Sequence, residues 1–297
     1  MIAREDIAAV RSFNRLVTRQ VGALNDRYLG LRPLGEARVL FEIGPDGATP
    51  RDVRARLGLD SGYLSRMIGA LQRDGLVEEA PNPADRRTKR LRLTRAGRSE
   101  MRKLDRISDE LAASALAPLT GEQRDRLLRA QAEVRHLLAI SMTAIEPVDP
   151  SSADARWCLG HYFAELAERF EEGFDPGDPL PPDELVPPRG AFLLVRFNGQ
   201  PAGCGVVLTL GPGIGEIKRM WVDGAHRGLG LGARLLHALE EQSAALGHTR
   251  VRLDTNRALA EAKAMYRSHG YTAISRYNDN PYANHWFEKP LNRGAGG

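Results

Sequence analysis

The spacing of apolar and polar positions divides the chain into two blocks of different character. In the first block, apolar residues recur at intervals of three and four, which predicts helices over residues 6–28, 35–43, 51–57, 62–74, 99–116 and 121–140. In the second block, short apolar runs predict strands within 140–148, 192–197, 204–210, 215–222, 251–256, 271–275 and 285–288, with helices over 151–170, 233–246 and from about 259. We therefore predict an α+β chain of two domains, residues 1–143 and 144–297.

A helix-turn-helix followed by a β-hairpin is predicted inside the first block. Thr49-Pro50 starts one short helix, which stops at Gly58, and Asp60-Ser61 starts the next. In that second helix Leu64, Met67, Ile68 and Leu71 face inwards, whereas Tyr63, Ser65 and Arg66 face outwards. Residues 75–79 and 89–94 then read as two strands around a basic turn at 81–87, which makes the hairpin a wing.

The two blocks also differ in net charge. The whole chain of 297 residues has a net charge of +4, but residues 1–145 hold 26 Lys and Arg against 19 Asp and Glu, and the rest is net negative. Between Arg86 and Arg106 there are ten basic residues and two acidic ones. A basic wing indicates a polyanionic partner, although a solvated surface would have the same composition.

The first block resembles the MarR family of winged-helix regulators over residues 1–145. The likeness is carried by Leu71-x-x-x-Gly75-Leu76-Val77, Asp85-x-Arg87 and Leu93-Thr94-x-x-Gly97. It implies a homodimer built from the first and last helices, which binds a roughly palindromic double-stranded operator. It also implies a set of DNA-binding residues on the second helix and the wing: Ser61, Tyr63, Ser65, Arg66, Arg86, Arg87 and Lys89. Tyr63 could instead pack beneath its helix.

A glycine-rich turn organises the second block. Residues 215–222 form an alternating strand that leads through Arg227-Gly228-Leu229-Gly230-Leu231-Gly232 into a helix. The first N–H groups of a helix have no partners inside it and attract anions, and glycine allows a phosphate to approach them. The chain has no G-x-x-x-x-G-K-[ST], which excludes a P-loop, and no acidic ribose ligand of a dinucleotide fold follows.

This block resembles the GNAT N-acetyltransferases. Arg227, Gly230 and Gly232 match the acetyl-CoA signature of that family, and residues 262–271 match its A-x-x-x-Y-x-x-x-G-[FY] segment. One departure is Gly224, where many members have proline. The resemblance implies a mixed α/β sheet and acetyl-CoA as cofactor. The residues that it implies for cofactor binding are Met220, Trp221, Val222, Arg227, Gly228, Leu229, Gly230, Leu231, Gly232, Ala233, Asn256 and Tyr266.

The same resemblance implies catalytic roles. Tyr266 would be the general acid, Glu216 the general base, and the backbone N–H of Val222 or Trp221 the donor to the thioester carbonyl. Three of the implied site residues have simpler alternatives: Tyr266 as a packed tyrosine, Glu216 as a solvated glutamate at a strand edge, and Asn256 as a helix cap. The acceptor, a small-molecule amine, would lie between the 151–170 helix, the proline-rich segment 175–188 and residues 276–286.

Cysteine spacing and hydropathy argue against several other classes of function. Cys158 and Cys204 lack metal-type spacing and are expected to be buried, so no metal is predicted. No apolar run is long enough to span a membrane and residues 1–13 lack a signal-peptide pattern, so we expect a cytoplasmic protein. We predict a transcriptional regulator with an acetyl-CoA-dependent N-acetyltransferase domain. The alternatives are a GNAT domain that is a non-catalytic acyl-CoA sensor, and an enzyme whose winged half only dimerises.

Overall fold

The computed structural model describes residues 2–23, 27–81, 89–171, 173–177 and 180–291. The chain forms two compact units, Met1–Ala130 and Gln131–Gly297. The division falls before the predicted boundary at residue 143, inside the helix that connects the two blocks.

The first unit is helical with one hairpin. Its helices are α1 (Arg4–Gln20), α2 (Leu34–Ile43), α3 (Pro50–Leu57), α4 (Ser61–Arg73), α5 (Arg95–Leu116) and α6 (Gly121–Ser141), and α6 continues into the second unit. Its strands are β1 (Val77–Pro81) and β2 (Lys89–Leu93). They pair antiparallel, and Ala48 adds a bridge to Leu91. The helix-turn-helix and the two strands of the predicted wing are confirmed.

Local capping explains where α3 and α4 begin and end. The Thr49 hydroxyl accepts a hydrogen bond from the N–H of Asp52, and Gly58 ends α3 in the left-handed conformation with φ of 62°. The Asp60 carboxylate accepts from the N–H of Tyr63 and so starts α4. The predicted inward face of α4, listed here, is buried in the core of this unit: Leu64, Met67, Ile68 and Leu71.

Two predicted helix bounds in this unit are wrong. Helix α1 ends at Gln20 rather than at residue 28, because the chain turns at Gly22, whose φ is 67°. Helix α5 begins at Arg95 rather than at residue 99, because the Thr94 hydroxyl accepts a hydrogen bond from the N–H of Gly97 and caps it. The wing turn, with Arg86 and Arg87, lies outside the described residues.

The second unit is a seven-stranded sheet with helices on it. Its elements are β3 (Thr143–Pro147), α7 (Ala153–Arg169), β4 (Gly190–Phe197), β5 (Gln200–Gly211), β6 (Ile214–Val222), α8 (Leu231–Ala245), β7 (Arg250–Thr255), α9 (Ala260–Ser268), β8 (Thr272–Ile274) and β9 (His285–Pro290). The strand order is β3-β4-β5-β6-β7-β9-β8, and β6–β7 pair in parallel whereas the other neighbours pair antiparallel. The predicted mixed sheet is confirmed.

Packing of α8 on the sheet makes the main core of this unit. The leucines of α8 at 231, 235, 236 and 239 are buried against apolar residues of β4, β5 and β7. A second cluster contains Trp157 and Cys158 of α7 with Cys204 of β5. Both cysteines are therefore buried, as predicted.

Two connections test the reading of turns. Asn198 and Gly199 both have positive φ, 50° and 76°, which is the geometry that the tight β4–β5 hairpin requires. The proline-rich segment, predicted to lack regular structure, contains one turn of 3-10 helix at Pro182–Leu185.

The predicted frayed end at 294–297 lies outside the described residues. Among the described helices, none is long and apolar enough to cross a membrane.

Candidate active site and DNA-binding surface

The site of the second unit begins where β6 and β7 diverge. Only Ile214, Gly215 and Glu216 of β6 pair with β7, although β6 continues to Val222. On its other edge, β6 has a bulge opposite β5 between Lys218 and Trp221. The last residues of β6 therefore present one edge to a gap in the sheet.

The direction of backbone groups along this free edge follows from one hydrogen bond. Asp223 donates its N–H to the carbonyl of Ala202, 2.9 Å away, at the end of β5. Because successive backbone groups of a strand point to opposite edges, the N–H of Val222 points into the gap. The carbonyl of Val222 lies on the same edge and accepts from Arg227 Nε at 3.1 Å. Of the two predicted donors, this geometry favours Val222 over Trp221.

The glycine-rich turn leads directly from this edge to the start of α8. Gly228 and Gly230 have φ of 74° and 77°, a conformation that glycine adopts without strain. Gly230 is the N-cap of α8, and no side chain caps the helix. The N–H groups of the first turn are thus free to bind an anion. These backbone donors fit the phosphates of acetyl-CoA, which is the cofactor of the family that the second block resembles.

Two cavities meet at the gap. The larger has a volume of about 440 Å³ and the smaller about 100 Å³. They share the lining residues Tyr162, Leu166, Met220, Leu259, Ala262 and Tyr266. An acyl donor in the larger cavity and an acceptor in the smaller one would therefore meet at this gap.

Most predicted cofactor residues line the larger cavity. They are Met220, Trp221, Val222, Arg227, Gly228, Gly230, Leu231, Gly232, Ala233 and Tyr266. Leu229 is not in this lining, and its carbonyl is bonded by His136 Nδ1 at 3.3 Å. Asn256 lines the smaller cavity instead. Its amide is committed to the carbonyl of Tyr282 and the N–H of Ala258, which agrees with the alternative structural role.

Arg227 is held by a carboxylate that the sequence analysis missed. Glu165 of α7 accepts hydrogen bonds from the Arg227 guanidinium and from Trp221 Nε1. Burial raises the pKa of Glu165, but hydrogen bonds from Arg227, Trp221 and Arg169 and the positive charge of Arg227 outweigh it. The pKa therefore lies below the usual value, and the group is ionised at neutral pH. Glu165 also lines the larger cavity. No motif points to it, because α7 precedes the glycine turn by some sixty residues of chain.

Two tyrosines stand where the cavities join. Tyr266 of α9 and Tyr162 of α7 line both of them. Burial raises the pKa of each phenol well above the ordinary value, so both remain protonated over the whole neutral range. Tyr266 therefore has the protonation state that a general acid needs, and Tyr162 is a second phenol in a similar environment.

The carboxylates divide between the cavity wall and the layer behind it. Glu216, the predicted base, lines neither cavity; its Oε1 accepts from Tyr277 Oη at 3.0 Å and Asn278 Nδ2 at 3.1 Å, and Lys218 Nζ lies 3.2 Å away. Asp254 at the end of β7 does line the smaller cavity, and it accepts from Asn278 at 2.6 Å and Asn280 at 2.8 Å. Asp254 is not predictable from the sequence, because it reaches the cavity through the divergence of β6 and β7, which depends on tertiary pairing.

The predicted DNA-reading surface of the first unit is exposed. Ser61, Tyr63, Ser65 and Arg66 of α4 all face solvent. The Tyr63 ring is 43% exposed and lies under the Arg66 guanidinium at 5.6 Å, so it does not pack beneath its helix. Lys89 at the base of the wing is exposed and pairs with Glu79. No metal-binding cluster of histidine, cysteine or acidic residues is found in the part of the chain that the structure describes.

Comparison with known proteins finds a family match within each of the two units. The model of the GNAT acetyltransferase family matches residues 159–271, and that of the MarR family matches residues 29–88. An IAA acetyltransferase of Azospirillum brasilense is 34% identical over 36% of this chain and 72% of its own length. An uncharacterized N-acetyltransferase of Schizosaccharomyces pombe is 37% identical over 33% and 61%. A MarR mutant from Escherichia coli, solved with operator DNA, aligns at 26% identity over 44% of this chain and 95% of its own, with a TM-score of 0.38.

These matches define the class of protein. The chain joins a segment that matches the MarR family to an acetyltransferase domain. Through the latter it belongs to the GNAT acetyltransferase family, whose cofactor is acetyl-CoA.

Proposed function

We propose that the second unit transfers an acetyl group from acetyl-CoA to a small-molecule amine, while the first unit binds operator DNA. The observation that carries the enzymatic part is the meeting of two cavities at the β6–β7 gap, with Tyr266 on both. A domain that only bound the cofactor would need the larger cavity alone. The smaller cavity supplies a place for an acceptor.

The cofactor would be held by the start of α8. The donors are the N–H groups of Leu231, Gly232 and Ala233, whose residues all line the larger cavity. A Cβ at Gly232 would lie 3.3 Å from Met265 Sδ, another residue of the lining, so glycine keeps this wall clear. When bound, acetyl-CoA supplies an activated acyl group, which leaves sulfur for the amine nitrogen.

The residues of the gap divide the remaining chemistry. The N–H of Val222 is a fixed donor for the acyl oxygen, which gains negative charge during the transfer. Asp254 faces the smaller cavity and accepts the proton that the amine loses, directly or through water. Glu216 lines neither cavity, so it would act as a base only indirectly, through the Asn278 amide that donates to both Glu216 and Asp254. Tyr266 delivers a proton to the departing sulfur.

A calorimetric titration of acetyl-CoA tests the cofactor site. Gly232→Glu places a carboxylate in the cavity at a position of ordinary helical φ, and we expect affinity to fall at least a hundredfold. Gly160→Glu is the matched control, because Gly160 is an exposed helical residue of α7 with open space around its Cα. Equal loss in both variants, or no binding by the folded wild type, would contradict the proposal.

The DNA-binding part rests on the exposed face of α4, from Ser61 to Arg66. It would enter the major groove, with Lys89 on a flanking phosphate. Arg86 and Arg87 stay predicted contacts of the wing. The affinity for duplex DNA should fall steeply with salt, since several phosphates would be neutralised. A winged half that only dimerised would show no such dependence.

A homodimer would cover exposed apolar faces of α1 and α6. Helix α1 has no buried residue, and its apolar stripe is exposed: Ile7, Val10, Phe13, Leu16 and Val17. In α6, Leu128, Val134, Leu137 and Leu138 are exposed as well. Patches of this kind mark protein interfaces, and a two-fold dimer would account for a palindromic operator.

Sedimentation tests the dimer. Leu16→Asp should shift the protein from dimer to monomer, because a charge would be buried in the interface. Leu210→Asp, an exposed leucine of β5, should leave the mass unchanged. A monomeric wild type, or a dimeric Leu16→Asp protein, would overturn this part.

A further inference from the structure

The smaller cavity carries one cation that has no anionic partner among the residues that the structure describes. Its lining includes Lys218, Arg219 and Asp254. Lys218 lies 3.2 Å from Glu216 and 3.9 Å from Asp254, and it is therefore neutralised. Arg219 forms no ion pair with any residue that the structure describes. A half-buried guanidinium with no carboxylate is costly, and a bound anion would remove that cost.

The backbone of Arg219 is held in an uncommon conformation. Its φ is 52°, in the left-handed region that a long side chain seldom adopts. The residue lies in the β6 bulge, at the gap between β6 and β7. Strain of this kind persists where the surrounding structure fixes it, and it clusters at ligand sites.

The Arg219 side chain is positioned by an aromatic ring. Its guanidinium lies over the Phe163 ring at 5.3 Å from the centroid, and burial lowers the pKa of the group. Arginine stays charged under such a shift, because its ordinary pKa lies far above neutral pH. The stacking leaves the planar fork of N–H donors available, which is the geometry that matches a carboxylate.

The rest of the lining completes a bipolar site. Asp254 supplies the opposite charge at the end of β7, held by the amides of Asn278 and Asn280. The same lining includes Phe170, Phe174 and Tyr282, whose ring centroids lie 4.9–5.8 Å apart. One cation, one carboxylate and an apolar wall are what an amino acid zwitterion requires.

We infer that the acceptor of the proposed acetyl transfer is a free α-amino acid, with its carboxylate on Arg219 and its amine towards Asp254. This inference rests on the proposed function. The reaction would form a C–N bond to the amino group and break the C–S bond, and the nitrogen proton would leave through Asp254. The product would be an N-acetyl amino acid, with the thiol of the carrier released.

Matched acceptors test the inference. Each of several amino acids, with side chains from methyl to benzyl, is compared with its amide and with its decarboxylated amine, at saturating acetyl-CoA and with thiol release as readout. We expect the free acid to have the highest kcat/KM, by at least tenfold, for one or more side chains. Equal or better turnover of the amide or amine would overturn the inference and leave the proposed acetyltransferase standing.

Variants of Arg219 locate the carboxylate. Arg219→Asn removes the charge with a residue that tolerates positive φ, and it should raise KM for the amino acid about ten- to a hundredfold without changing acetyl-CoA affinity. Arg219→Lys should recover part of that loss, because the charge returns without the fork. Arg189→Gln, an exposed arginine paired with Asp183, is the control that should leave KM unchanged. An unchanged KM in Arg219→Asn would overturn the assignment.

A direct binding measurement covers the case of no turnover. Amino acids are titrated calorimetrically into the protein saturated with CoA. Binding that is lost in Arg219→Asn supports the inference, and no binding of any amino acid overturns it. Failure of the wild type to bind acetyl-CoA in a separate titration would instead remove the proposed function itself.

Discussion

The two units present their functional residues in opposite ways. On α4 the candidate DNA contacts are exposed and few of their side chains bond to other protein groups. At the β6–β7 gap the candidate catalytic groups are buried, and each carboxylate accepts at least two hydrogen bonds. A surface that reads DNA needs free donors, whereas a transfer site needs groups fixed before the substrate arrives. Substitutions should therefore have different consequences in the two units.

The largest effect should come from Tyr266. Tyr266→Phe removes only the phenol, and we expect kcat to fall by about 10²–10³ with little change in the KM for acetyl-CoA. Tyr162→Phe is the comparison variant, because Tyr162 also lines both cavities and burial likewise raises the pKa of its phenol. If steady-state kinetics showed the larger loss in Tyr162→Phe, the role of acid would move to α7.

A smaller effect is expected on the exposed helix. Arg66→Ala should weaken binding to a duplex selected from a random library by about 1–3 kcal/mol and relax its sequence preference. Because the residue is exposed, the melting temperature should not change. Arg38→Ala removes an exposed arginine of α2 that pairs with Glu42, and it serves as control. Fluorescence anisotropy with equal losses in both variants would show a general charge effect rather than base readout.

The pH dependence of acetyl transfer should rise and then stay high. Below the pKa of the acceptor, kcat/KM should increase about tenfold per pH unit, because only the neutral amine attacks. Burial raises the pKa of Tyr266 above its ordinary value of 10.0, so the acid remains protonated and no decline is expected up to pH 10. A declining limb below pH 9 that disappears in Tyr266→Phe would contradict this protonation state.

The smallest effect concerns the carboxylate beside Arg227. Glu165→Gln removes a negative charge from the wall of the larger cavity, so acetyl-CoA, a polyanion, should bind about three- to tenfold more tightly at low salt. Glu168→Gln changes an exposed residue of the same helix and should have no effect. Weaker binding in Glu165→Gln alone would mean that the carboxylate chiefly positions Trp221 and Arg227 for the cofactor.

The contrast between the units also explains what could be predicted from sequence. Local signals determine the helix-turn-helix, since each cap joins residues three positions apart, Thr49 with Asp52 and Asp60 with Tyr63. The glycine turn and Tyr266 are likewise read from short motifs. These elements were placed correctly, and their errors are confined to ends such as that of α1.

The acceptor side could not be read in this way. Asp254 lines the smaller cavity because β7 leaves β6 after three paired residues, and no local pattern encodes that divergence. Arg219 is exceptional only through its φ and through the lack of an anionic partner among the described residues, and both are properties of the tertiary structure. Glu165 reaches Arg227 from a helix distant in sequence. The candidate acceptor cavity and the charges that line it are thus formed by residues distant in sequence, whereas the candidate cofactor site is formed by short motifs.

The most direct test of the account is thiol release from acetyl-CoA by the full-length protein across a panel of small amines, with Gly232→Glu and Gly160→Glu measured beside it. We predict release that requires both protein and acceptor, that is lost in Gly232→Glu and that is retained in Gly160→Glu. Acetyl-CoA binding without acceptor-dependent release would contradict catalysis and identify the second unit as a sensor of acyl-CoA.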